Sequence, residues 1–254
     1  MILYANGDSH TAGAELAHNF NGKLVVFKED DSQYWALAGT PEGSKAHPEC
    51  IKRSYGQLLA NKMGYEFLCD AESGSSNARI LRTTYEYLEN NRPDFVVIGW
   101  ATWEREEWLH EGKYYQITGS GYAELPTPEL VEKYKYWVTQ QLVPDVMNHK
   151  AIYIHRDIRN LHLKLQELGI PHLFFNTFSS FQNFKNLHYL LPDSEMLDWS
   201  GSYVEPYKDE LTYYHWLKAR NYQTVAPGSH HYGPAGHEAW ANLLFDEYIP
   251  QALK

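Results

Sequence analysis

The sequence predicts an α/β fold, with five short parallel strands sandwiched between helices. Short apolar runs alternate along the chain with segments whose apolar residues recur at helical spacing, the pattern of successive βαβ units. The runs are apolar at consecutive positions, as strands buried on both faces are. Two of them stop at glycine-bearing turns, Gly7-Asp8-Ser9-His10 and Gly99-Trp100-Ala101-Thr102. Ligands of open parallel sheets collect at such carboxyl ends.

Taken in order, residues 2–5 form the first strand, ending at Asn6-Gly7-Asp8. Residues 12–19 can start a helix, and 24–27 with Glu29-Asp30-Asp31 read as an insertion. Spacing at Ile51, Tyr55, Leu58 and Leu59 predicts a helix over 49–62, with Gly64 just past its end. A strand follows at 65–68, then a helix at 77–90 with Ile80, Leu81, Thr84 and Leu88 on one face. Residues 95–100 are the clearest buried strand. A long helix is expected over 127–147, a strand over 151–155, a helix over 158–168 and a strand over 172–175. The last helices fall at 210–219 and 235–248. Residues 1–254 read as one domain with insertions near 28–48 and 176–207, both long for simple connections.

The net charge of −10, with no basic run, argues against nucleic acid as a partner. No stretch of 18 apolar residues exists, so no membrane helix is expected. The opening MILYANGDSH lacks the basic and apolar regions of a signal peptide, and a cytoplasmic or phage-borne protein is expected. Cys50 and Cys69 cannot make a disulfide framework and are expected as free thiols. Aromatic residues reach 15%, which suits an aromatic core or surfaces on which sugars stack.

Ser9 is the candidate nucleophile. A serine just after a strand, at a helix start, is either a helix cap or a hydroxyl presented beside N–H groups that can hold an oxyanion. As a nucleophile it needs a neighbouring base. The stretch from Ile2 to Thr11 resembles the first block of the SGNH (GDSL) hydrolases, where a Gly-Asp-Ser turn presents the nucleophile. Ser73-Gly74-Ser75-Ser76-Asn77 resembles the second block, and Phe95-Val96-Val97-Ile98-Gly99 resembles the strand leading into the third. His230-His231-Tyr232-Gly233-Pro234-Ala235-Gly236-His237 resembles the fifth. The blocks stand in family order over nearly the whole chain.

This resemblance implies a flavodoxin-like three-layer α/β/α sandwich with a five-stranded parallel sheet. It also implies a serine esterase of small, acetyl-like acyl groups, carbohydrate esters among them, with no metal and no organic cofactor. The nucleophile would be Ser9. The base would be His231, five residues before Gly236, with His230 pointing elsewhere and His237 packed in the last helix. N–H groups of Ser9 and Gly74 would form the oxyanion hole, and Asp8 would brace the turn through local hydrogen bonds.

Two departures from the family pattern follow. The usual third-block asparagine is missing, because Gly99 is followed by Trp100 and Ala101. Asn77 is the expected substitute donor, with Thr102 and Arg105 as alternatives. The usual aspartate three residues before the base is also missing: Gly228 precedes His231 by that offset, and Pro227 precedes His230. A main-chain carbonyl in 226–229 is expected to orient the imidazole, leaving a Ser–His dyad; the alternative is a carboxylate from elsewhere, with Asp198 the first candidate. Two rival functions remain. One is a non-catalytic member of the fold serving as a glycan-binding or virion-structural module. The other is a metallophosphoesterase, suggested by the Asp-x-His spacing of Asp8 and His10 and by the late His230 and His231.

Overall fold

The computed structural model describes residues 1–17, 47–119, 121–122, 125–182 and 199–254. In chain order its strands are β1 (Ile2–Asn6), β2 (Glu66–Cys69), β3 (Phe95–Trp100), β4 (Glu106–His110), β5 (Lys113–Thr118), β6 (Gly121–Tyr122) and β7 (His172–Asn176). The α-helices are α1 (Pro48–Ile51), α2 (Tyr55–Met63), α3 (Asn77–Asn90), α4 (Pro128–Gln140), α5 (Pro144–Glu167), α6 (Tyr213–Ala219), α7 (Pro234–Leu243) and α8 (Ile249–Ala252).

Four strands pair in parallel in the order β2-β1-β3-β7. Successive side chains of a strand point to opposite faces, and here both faces are buried. Tyr4, Val96, Ile98, Trp100 and Phe174 pack to one side with Ile80 and Leu88 of α3 and Ile158, Leu161 and Leu165 of α5. Leu3, Ala5, Phe95, Val97, Leu173 and Phe175 pack to the other with Leu59 of α2, Leu217 of α6 and Trp240 of α7. The result is a three-layer α/β/α sandwich. Each Val, Leu, Ile or Phe fully buried in this way contributes about 1.5–3 kcal/mol relative to exposure, which is why the central strands read as unbroken apolar runs.

Local signals set the helix ends. The Ser54 side chain caps α2 by accepting from Gln57 N, and Gly64 closes it with φ +69°. The Ser76 hydroxyl caps α3 in the same way through Arg79 N.

Several expectations are corrected. Residues 151–155 are helical, not a strand, and belong to α5, whose buried Ala151, Ile152, His155, Ile158, Leu161, His162 and Leu165 keep helical spacing. A short apolar run looks the same in either state. The described parallel sheet therefore has four strands rather than five; beyond β7 it is continued only by a single parallel bridge, Phe174 to Tyr203. The helix expected over 127–147 is split before Pro144, which opens α5 because its ring suits a first turn and not an interior. The helix expected over 49–62 is likewise split, with Ser54 capping its second part. Residues 12–17 form turns, not a helix.

Residues 106–122, unassigned from sequence, make a small antiparallel sheet, β4-β5-β6. Its Trp108, Tyr115 and Ile117 pack with Tyr134 and Trp137 of α4. The expected insertions lie largely in 18–46 and 183–198, outside the described residues. Among the described residues no helix is long and apolar enough to cross a membrane, and Cys50 and Cys69 are free.

Candidate active site

The polar end of β1 carries Ser9 into a tight turn, with Ala12 N donating to Asp8 O and Ala14 N to Ser9 O. Gly7 is required there: a Cβ would fall 2.1 Å from Thr11 Oγ1 and 2.8 Å from the Gly99 carbonyl. Asp8 is fully buried, accepts from His10 N at 3.0 Å and pairs with Arg105 Nη1 at 3.1 Å. Burial pushes its carboxyl above the usual carboxylate value, while the Arg105 guanidinium pulls it back. Asp8 thus braces the turn. Arg105 also donates to the Ser75 carbonyl at 3.3 Å, tying the Ser9 turn to the 73–77 segment.

The opposing loop is built like a narrow hairpin. Val225 N donates to His231 O, Gly233 N donates to Gln223 O, and Thr224 bridges Tyr232. Tyr232 is buried and its hydroxyl donates to the Tyr214 carbonyl at 3.0 Å. With its neighbour fixed, His231 faces Ser9, and its Nε2 lies 2.8 Å from Ser9 Oγ. On the far side of the ring, Nδ1 lies 2.8 Å from Glu15 Oε2. The Ser229 hydroxyl donates to the same oxygen at 2.7 Å and accepts from His231 N at 3.0 Å.

The remaining candidates divide plainly. Gly74 adopts φ +77° beside Thr118, and neither its N–H nor that of Ser9 donates to any described residue. Asn77 is paired with the main chain: its Nδ2 donates to the Ala101 carbonyl at 2.9 Å and its Oδ1 accepts from Ala101 N at 2.8 Å. That two-way pair joins α3 to the end of β3 and occupies the amide expected at the oxyanion. Thr102 turns its hydroxyl to Glu104 Oε1 at 2.6 Å. His10 is buried among Phe178, Tyr213 and His231, with ring centroids 4.8, 5.4 and 4.9 Å away, and burial holds its pKa well below the ordinary value. His230 is exposed and neighbours Tyr214, and no described contact joins it to Ser9. Asp198 lies outside the described residues. His237 is buried, accepting from Tyr55 N at 3.0 Å and meeting Tyr213 Oη at 3.2 Å. Among the described residues no group of three or more His, Cys, Asp or Glu side chains is placed to hold a metal ion.

Glu15 and Ser229 were missed by sequence reasoning. The expected main-chain acceptor in 226–229 is not what meets Nδ1, and a carboxylate stands there instead. The one available signal was an acidic side chain within a few residues of Ser9. It was hidden by the helix expected over 12–19, which would have pointed that side chain elsewhere.

No protein-family model and no curated protein matches the chain. Among solved structures it is similar to a carbohydrate esterase family 2 enzyme with a carbohydrate-binding domain from Corynascus thermopiles (Myceliophthora fergusii), at 16% identity and a TM-score of 0.45. That match covers 99% of this chain and 66% of the other, so this chain spans about two thirds of that enzyme's length. It is similar to the acetyl xylan esterase AlAXEase at 15% identity and a TM-score of 0.43, over 97% and 98% of the two chains. It is similar to TesA at 11% identity and a TM-score of 0.47, over 100% of both. Likenesses this distant leave activity to be argued from the site itself.

Proposed function

We propose that this chain is a serine esterase that hydrolyses small, acetyl-like esters on carbohydrate. The observation that carries the reading is the 2.8 Å approach of His231 Nε2 to Ser9 Oγ at the carboxyl end of the central strand. A serine hydroxyl with a base in hydrogen-bond reach is the arrangement nucleophilic catalysis needs. Ser9 Oγ attacks the ester carbonyl while His231 Nε2 takes its proton. The carbonyl oxygen, now an anion, is held by the N–H groups of Ser9 and Gly74, whose segments Arg105 ties together through Asp8 and the Ser75 carbonyl. His231 then gives its proton to the departing alcohol, leaving an acyl-serine. Water, deprotonated by the same nitrogen, attacks the acyl carbon; the bond to Ser9 Oγ breaks, the carboxylic acid leaves, and His231 Nε2 returns the proton to Oγ. The choice of acetyl-like acyl groups and of carbohydrate rests on the resemblance to the SGNH hydrolases and on the aromatic content of 15%.

The test is labelling with a fluorophosphonate, with the modified residue mapped, beside hydrolysis of p-nitrophenyl acetate and acetylated oligosaccharides. Ser9 should carry the label. Ser9→Ala and His231→Ala should abolish turnover or lower kcat by several orders of magnitude, and His230→Ala should cost far less. A folded Ser9→Ala protein with unchanged kcat overturns the reading. Glycan binding without hydrolysis or labelling supports the binding-module alternative.

A further inference from the structure

We infer that Glu15 is the positioning acid of this site, a carboxylate carried on the nucleophile's own turn rather than on the loop of the base. The inference rests on the esterase reading for its kinetic consequence, and on geometry for the rest. His231 Nδ1 lies 2.8 Å from Glu15 Oε2. A carboxylate at this nitrogen keeps the proton on Nδ1 and leaves Nε2 free to accept from Ser9 Oγ. When His231 takes the serine proton, the same carboxylate faces the cation that forms, and the Nδ1 proton stays on the ring.

Three further observations support the assignment. First, the loop before the base offers no side-chain acid in its place. Ala226-Pro227-Gly228-Ser229 contains no carboxylate, and the Ala226 carbonyl already accepts from Ser229 N and Thr224 Oγ1. Second, Ser229 holds the acid in place: its hydroxyl donates to Glu15 Oε2 and accepts from His231 N, linking the carboxylate to the main chain of the base. Third, Glu15 sits at φ +67°, a conformation uncommon for a residue with a long side chain. It is kept there by the turn bonds of Ala14 and Leu16 and by the burial of Leu16 and Ala17. Backbone strain of this kind persists where the surroundings impose it, and it clusters at functional sites. Ser9 and Glu15, both on one turn, thus grip opposite edges of the same imidazole.

The experiment compares wild type, Glu15→Gln and Glu15→Gln/Gly228→Asp in the full chain. The amide keeps the shape of the side chain and removes its charge. Nitrogen NMR of His231 should show the proton on Nδ1 in wild type and a loss of that preference in Glu15→Gln, whether or not any ester is turned over. In the esterase assay kcat should fall by roughly 10⁴-fold, the scale set by the aspartate of a serine protease, with KM within about threefold and unchanged thermal stability. Gly228→Asp places a carboxylate three residues before His231, in open space but at φ +82°, which strains any residue with a Cβ, so its thermal stability is measured alongside. It should recover part of the lost kcat. A wild-type His231 protonated on Nε2 overturns the assignment even if Ser9 is labelled. So does an unchanged kcat in Glu15→Gln when Ser9→Ala is inactive. A wild type that takes no label and turns over no ester sinks the esterase reading alone, and the NMR result still decides the role of Glu15.

Discussion

At the scale of single residues, what could be read from sequence was what the local motif fixes. Ser9 follows directly from the Gly-Asp-Ser turn, and His231 from its offset before Gly236; the structure brings these two together. Glu15 could not be read the same way. Its role depends on a positive φ and on a partner 216 positions away, and neither is written in the residues around it. Asn77 shows the opposite case. An amide near Gly74 looks like an oxyanion donor in one dimension, but in three it completes the main chain of Ala101, which has no strand neighbour at that point to do so. Asn77→Ala should therefore act on stability. It strands a buried N–H and a buried C=O, at about 1–3 kcal/mol for a group left without its partner. Chemical denaturation should show that loss. A drop in kcat with an unmoved denaturation midpoint would instead return Asn77 to the oxyanion hole.

At the scale of elements, the agreement follows burial. Residues 77–90 and 95–100 match α3 and β3 end for end, because a capped amphipathic helix and a doubly buried strand each leave an unambiguous pattern. Residues 151–155 failed because the apolar run Ala-Ile-Tyr-Ile is short and the helical period appears only over the full length of α5. The β4-β5 hairpin was missed because only one of its faces is buried, on a small aromatic cluster away from the main core. Elements also meet at glycines that sequence alone left unexplained. A Cβ on Gly99 would fall 2.7 Å from both the Phe175 ring and Thr11 Oγ1, where β3 approaches β7 and the Ser9 turn. Gly99→Ala should lower the unfolding free energy by about 1–3 kcal/mol, the usual cost of overpacking. It should also lower kcat through the displaced turn. Urea titration together with p-nitrophenyl acetate turnover checks both.

At the scale of the whole molecule, buried imidazoles tie the layers together. His162 of α5 meets His172 of β7 at 2.8 Å, and His172 Nδ1 faces the Ile170 carbonyl. His237 of α7 caps the first turn of α2. Burial lowers His172 from 6.5 to about 4 and His237 from 6.5 to about 3. The unfolded chain binds these protons near 6.5 and the folded one does not, so the stabilising contribution is complete above that pH. It is lost as pH falls from 6.5 toward 4 and then 3, at roughly 1.4 kcal/mol per pH unit for each histidine. Denaturant midpoints should fall steadily over that window. A midpoint that holds level from pH 7 to 4.5 would show that these two imidazoles do not govern acid stability. The three-layer plan was readable from the alternation of runs. The number of strands was not, because the short apolar run at 151–155 reads as a strand and is instead part of α5.

The 222-residue separation of Ser9 and His231 has a consequence for the nascent protein. At about 5–20 residues per second, the ribosome needs roughly 10–45 s to travel from the nucleophile's codon to that of its base. β1, the central strand, spends much of that interval waiting for neighbours, since β2 starts at Glu66 and β3 at Phe95. A chain stalled before the 223–233 loop carries the Ser9 turn without His231. The Ser9–His231 contact therefore cannot form until 222 further residues have followed Ser9 out of the ribosome.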